Sequence, residues 1–141
     1  MPRLTLPDGA HVELPEGEPV GAVLTPEAIA ARVDGVLRDL SFVPDAQEAA
    51  DSTVEPVEPA SADGLHVLRH STAHVLAQAV CHLFPGARYA IGPPIQDGFY
   101  YDFDLPSPIR EDDLPTIENE MRAVVKEDQP FIREAVSRED A

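Results

Sequence analysis

The stretch from residue 64 to residue 84 constrains this chain most, because it carries the strongest helical pattern. Asp63 is placed to cap its start, and Pro85-Gly86 ends it. At about 100° per residue, Leu65, Leu68, Thr72, Val75, Leu76, Ala79 and Leu83 share one broad face, the expected core stripe. His66, His70, His74, Ala77 and Cys81 fall on a separate arc. An ordinary surface helix would show Lys and Glu there, so this second face reads as one wall of a cleft. His70 and His74 lie four residues apart, a little over one turn, and their imidazoles project one above the other.

The flanking sequence fits around that helix. Residues 1–43 read as a small β-rich unit. Leu4-Thr5-Leu6 and Val12-Glu13-Leu14 alternate about the turn signal Pro7-Asp8-Gly9, which predicts a hairpin. Asp34-Gly35 predicts a second hairpin, between residues 31–33 and 36–40. Thr25-Pro26-Glu27 offers a helix start, and the apolar run Ala28–Val33 fits helix or strand. Residues 44–63, rich in Pro, Asp, Glu, Ala and Ser, read as an acidic linker, with Val54 and Val57 as a candidate edge strand. Residues 88–104 are strand-like with turns at Gly92-Pro93-Pro94 and Asp97-Gly98; Phe99, Tyr101 and Phe103 alternate with Tyr100, Asp102 and Asp104. Residues 112–128 predict a helix with Leu114, Ile117, Met121 and Val124/Val125 on one face, closed by Gln129-Pro130. Phe131–Val136 predicts a short strand. Ser137-Arg138-Glu139-Asp140 has the form of a capping box, and the chain stops one residue later, so a truncated second unit is expected.

Composition narrows the function classes. The 141 residues suffice for one ordinary domain or two small ones. Acidic residues outnumber basic ones by 26 to 10, for a net charge of −16, which makes this piece alone a poor binder of phosphate backbones. No run of about 18 apolar residues predicts a membrane span, and the first residues lack a signal-peptide pattern. A cytoplasmic protein is expected. Cys81, the one cysteine, fits a reducing compartment.

The histidine pair is a weak motif by itself, and two solvated or hydrogen-bonded polar residues are its plain reading. No Glu follows His70, so the pair is not a zinc-protease signature. Cys81 lies about 10 Å along the axis from His74 and cannot share one metal with both histidines. The helix carries half a site at most. Cys81 reads as a packing residue, His11 and His82 as surface residues, and the run Phe99–Phe103 as strand packing, because few Lys or Arg flank it. The acidic cluster near residues 102–113 lacks calcium-loop spacing.

Taken together, Leu68-Arg69-His70-Ser71-Thr72-Ala73-His74 and Ile91-Gly92-Pro93-Pro94-Ile95-Gln96-Asp97-Gly98-Phe99-Tyr100-Tyr101-Asp102-Phe103-Asp104 resemble the N-terminal region of bacterial threonyl-tRNA synthetases. The resemblance implies an α+β chain: a ubiquitin-like β-grasp (TGS-like) unit over residues 1–60, its helix reduced, then the first part of an editing domain over residues 61–141, with the His-bearing helix packed on a sheet. It implies that His70 and His74 are catalytic in hydrolysing tRNA mischarged with serine, opposite a Cys-x-x-x-His element that this chain lacks, and that Gly92 and Tyr101 contact the substrate. No metal is expected at the histidines. ATP and zinc belong to the family's aminoacylation core, tRNA is the implied partner, and the family's dimer contacts lie in that core. The piece alone is expected to be inactive. Two other readings stay open: a stand-alone TGS-like binding module, and a metal-dependent hydrolase completing its site in a dimer.

Overall fold

The computed structural model describes residues 1–45 and 50–140, the side chain of Ala50 aside. The fold is α+β and divides into two compact units, Met1–Arg69 and His70–Ala141, the division falling inside the long helix.

In the first unit, β1 (Arg3–Thr5) and β2 (His11–Glu13) form the first expected hairpin, with Leu4 opposite Val12. β3 (Ala30–Val33) and β4 (Val36–Arg38) form the second. Its turn is Asp34-Gly35, and both residues have positive φ (48° and 78°). That is the mirror-image turn whose twist suits adjoining strands, and Asp-Gly adopts it at low cost. The ambiguous run Ala28–Val33 thus resolves into a strand from Ala30 onward. No helix starts at Thr25-Pro26-Glu27: Pro26 and Glu27 form a turn, and the helix of this region is reduced to a single 3₁₀ turn, Val20–Val23.

The linker expectation is corrected. Residues 46–49 of that stretch lie outside the described residues, but Ala50–Val57 is an eight-residue strand, β5. It sits at the centre of the sheet, in the order β2-β1-β5-β3-β4, parallel to β1 and antiparallel to β3. This order with a central parallel pair is the expected β-grasp arrangement. Pro56 is tolerated because β1 ends at the Thr5–Thr53 pair; beyond it no second neighbour needs the missing N–H. The core beneath the sheet is Leu4, Leu14, Val20, Ala31, Val33 and Val54, joined by Leu6, Leu24, Leu40 and Phe42.

Helix α1 (Ala62–Leu83) is capped by Ser61, not Asp63. The Ser61 hydroxyl accepts the Gly64 N–H at 3.0 Å and donates to the Glu58 carbonyl at 2.7 Å. Asp63 lies in the first turn and pairs with Arg32 of β3.

In the second unit the burial of α1 is rotated from the expected stripe. Ala73, Ala77 and Val80, spaced i, i+4, i+7, are buried together with Ala79, whereas Thr72 is exposed and Val75 only partly covered. The same rotation holds in the first turns, where Leu65 and Leu68 are exposed. The buried face is thus the one rich in small residues and not the one rich in leucines. Next comes a hairpin in two stages. β6 (Arg88–Tyr89) pairs with β9 (Phe103–Asp104), and β7 (Pro94–Ile95) with β8 (Gly98–Phe99) at the tip. Between them Ala90 and Asp102 extend the ladder: the Ala90 N–H donates to the Asp102 carbonyl and the Asp102 N–H to the Ile91 carbonyl. The tip turn is Gln96-Asp97, one residue earlier than the Asp97-Gly98 signal suggests. A 3₁₀ turn, Glu111–Asp113, leads into α2 (Leu114–Lys126), which buries Ile117 and Val124 but leaves Leu114 and Val125 exposed. The expected strand Phe131–Val136 is not formed: these residues belong to no helix or strand, and Phe131, Ile132 and Val136 are exposed. Of the expected capping box only one half forms, at a turn over residues 138–140: the Asp140 N–H reaches the Ser137 hydroxyl (3.3 Å), while that hydroxyl itself donates to the Asp140 carboxylate (2.6 Å).

Candidate functional site

α1 brings His70 and His74 ring on ring. Their centroids are 4.9 Å apart and the planes 24° from parallel, the geometry that a four-residue helical spacing dictates. His74 opens into a cleft of about 570 Å³ that it shares with Ala77, Gln78 and Cys81 of α1, Tyr89 and Tyr101 of the hairpin, and Phe131 and Ile132. His70 stacks beneath His74 and is not among the cleft's lining residues. The small Ala77 keeps the helix wall low between His74 and Cys81.

The opposite wall is aromatic. Tyr101 stacks on Phe103 (centroids 4.8 Å, 17°) and meets Tyr89 edge-on (6.2 Å, 71°). The alternation seen in the sequence holds: Phe99, Tyr101 and Phe103 are half-buried, and Tyr100, Asp102 and Asp104 face outward. Gly92 lies against Tyr101, and a Cβ at this position would run into the ring. Gly92 therefore defines how deeply Tyr101 seats. Burial raises the Tyr101 phenol above its ordinary 10.0, with Tyr89 and then Cys81 pushing in the same direction. Tyr101 is consequently a neutral hydroxyl at physiological pH, able to donate as well as accept a hydrogen bond.

Among the described residues the cleft lining holds no Lys, Arg, Asp or Glu. Gln78 is fixed at its edge by donating to the Gln129 side chain (3.1 Å). His82, expected as a surface residue, is exposed but sits 3.1 Å from the Glu120 carboxylate, tying the end of α1 to α2. His11 is exposed and lies 3.1 Å from the Thr5 hydroxyl. Among the described residues no group of three His, Cys, Asp or Glu is placed to hold a metal ion. A second hollow, of about 460 Å³, lies between α1 and α2, lined by Thr72, Val75, Met121 and Val125 with the Glu118–Arg122 pair and Lys126. Its surface is mostly apolar, with charged groups among its lining, and no imidazole lines it among the described residues.

Sequence reasoning missed Tyr89 and Gln78 as cleft residues. The signal for Tyr89 was present. Once Phe103 faces the cleft side of its strand, the residue opposite it on the antiparallel partner faces the same way, and that residue is Tyr89.

No protein-family model matches the chain. Among curated proteins, it is 49% identical over 148 aligned residues to the threonine–tRNA ligase of Acidithiobacillus ferrooxidans, an alignment covering all of this chain and 22% of that protein. The threonine–tRNA ligase of Rubrobacter xylanophilus is 43% identical with the same coverage. That of Streptomyces griseus is 54% identical over 114 residues, 80% of this chain and 17% of its own. The β-grasp unit, the histidine helix and these relatives define a segment of the aminoacyl-tRNA synthetase class. Within that class the chain belongs to the threonine–tRNA ligase family. It spans about a fifth of the length of the curated relatives it matches. Among the described residues no helix is long and apolar enough to cross a membrane.

Proposed function

We propose that this chain supplies one wall of a hydrolytic pocket that removes serine from mischarged tRNA in a threonine–tRNA ligase. The observation that carries the reading is the stacked imidazole pair, with His74 opening onto a cleft whose far wall is Tyr101 seated on Gly92. Threonine and serine differ by one methyl group, which binding alone discriminates only about 10- to 200-fold, so a second, hydrolytic sieve has a purpose. Hydrolysis of the aminoacyl ester needs a positioned water, a group to take its proton and a donor to the leaving hydroxyl. In this reading His74 holds the water or the ester oxygen, and His70 fixes the orientation of His74 through the ring stack. Tyr101, as a neutral phenol, offers a hydrogen bond to the reacting carbonyl or leaving oxygen. Gly92 holds that ring at its depth.

One imidazole in a cleft lined by no Lys, Arg, Asp or Glu among the described residues is half a machine. The 141 residues by themselves neither aminoacylate nor hydrolyse, and the remaining groups come from the longer enzyme context that the relatives represent. The tRNA is gripped mainly by that context too, since a chain of net charge −16 gains little from phosphate contacts. The activity is tested by exchanging this chain for the matching segment of the Acidithiobacillus ferrooxidans enzyme. The hybrid is expected to hydrolyse seryl-tRNA, the isolated chain to show no turnover above background, and His74→Ala in the hybrid to lose about 100-fold or more. Turnover by the isolated chain, or an unimpaired His74→Ala hybrid, overturns the reading.

A further inference from the structure

Resting on that reading, we infer that Tyr89 is a substrate-positioning residue whose ring takes the nucleobase of the terminal nucleoside carrying the ester. The rings that line the cleft are not equivalent: Tyr89 stands on a paired strand, Tyr101 is taken up by Phe103, and Phe131, as exposed as Tyr89, sits on chain with no paired strand to fix it. Tyr101 and Phe103 are half-buried and spend their faces on each other, stacked at 4.8 Å. Tyr89 meets Tyr101 only edge-on and stays 61% exposed, so it keeps a broad face open while still lining the cleft. A volume of about 570 Å³ falls in the range that holds a whole small ligand, more than a seryl group occupies. With the ester at His74, the rest of the space receives the nucleoside. Among the described residues neither Lys nor Arg lines the cleft, and the chain is strongly acidic, so a phosphate gains nothing here. A neutral planar base on an open aromatic face is the contact that remains, and stacking of this kind tolerates the surrounding charge.

The experiment titrates adenosine, which has a base but no ester, into the 141-residue chain. The chain has no tryptophan and three tyrosines, of which Tyr89 and Tyr101 line the cleft and Tyr100 faces outward, so the part of the intrinsic emission that a cleft ligand changes comes from the first two. Amide chemical shifts provide the readout for variants. Adenosine is expected to quench the tyrosine emission. Tyr89→Phe should bind within about twofold of the parent, and Tyr89→Leu and Tyr89→Ala should each bind about tenfold more weakly. Leucine keeps apolar bulk without a flat face, so it separates stacking from mere packing and stands in should the alanine variant misfold. Ribose 5-phosphate, lacking the base, should bind at least about tenfold more weakly than adenosine. Parent-like binding by Tyr89→Leu, equal binding of ribose 5-phosphate, or no adenosine binding overturns the assignment. Because adenosine has no ester bond, loss of hydrolysis in the hybrid enzyme with adenosine binding intact counts against the hydrolytic reading and leaves the base site standing.

Discussion

Gly92 is held to hydrogen by its neighbour and not by its backbone angles, since it is absent from the positive-φ glycines while its missing Cβ would meet the Tyr101 ring. Gly92→Ala must therefore push the ring outward. We expect a loss of about 1–3 kcal/mol in stability, measured by denaturant unfolding, together with shifted Tyr101 ring resonances. Asp34 is a different case, a turn residue with a second task. Its carboxylate is hydrogen-bonded by the Ser52 hydroxyl and by the backbone N–H of Thr53 (2.8 Å), which hold it below its ordinary 3.8. The folded chain thus takes up a proton there less readily than the unfolded chain. The resulting stabilisation is complete above that ordinary value and fades as pH falls from it through the lowered, folded value. Asp34→Asn tolerates the positive φ and should flatten the acid limb of stability against pH, read as unfolding midpoints between about pH 2 and 6. An unchanged acid limb would exclude this contribution.

At the scale of elements, local chemistry was legible wherever it was self-sufficient. The two hairpins follow from Asp-Gly and Pro-Asp-Gly turns with alternating flanks, and α1 and α2 follow from their periodicity. β5 was legible only as a candidate edge strand at Val54 and Val57, because Asp51, Glu55 and Pro56 look like linker residues until two neighbouring strands are in place to pair with them. The start of α1 shows the same limit. Asp63 and Ser61 are both competent caps, and the choice is made by Gly64, whose backbone approaches the Glu58 carbonyl so closely that a Cβ would collide with it. That close turn puts Ser61 where it can serve both Glu58 and Gly64. Ser61→Ala should cost about 1 kcal/mol in thermal or denaturant unfolding, and Asp63→Ala less, since the Arg32–Asp63 pair is solvent-exposed. The reverse ranking would assign the cap to Asp63 after all.

For the molecule as a whole, the sequence revealed the histidine wall of the cleft more readily than its aromatic wall. His70 and His74 are neighbours through helical geometry alone, whereas Tyr89 reaches Tyr101 only after a hairpin has folded with the right register. Phe131 and Ile132, read as strand residues, line the cleft from an unpaired segment, a placement no local pattern encodes. The five-stranded sheet has a consequence for how copies of this chain behave in crowded solution. Its outer strands, β2 and β4, are three residues long, and where β5 outruns β1 the open rim carries Pro56 in place of a donor. A foreign strand finds too few hydrogen-bonding groups in a row to take hold, so the sheet is a poor template for fibril growth even at high concentration.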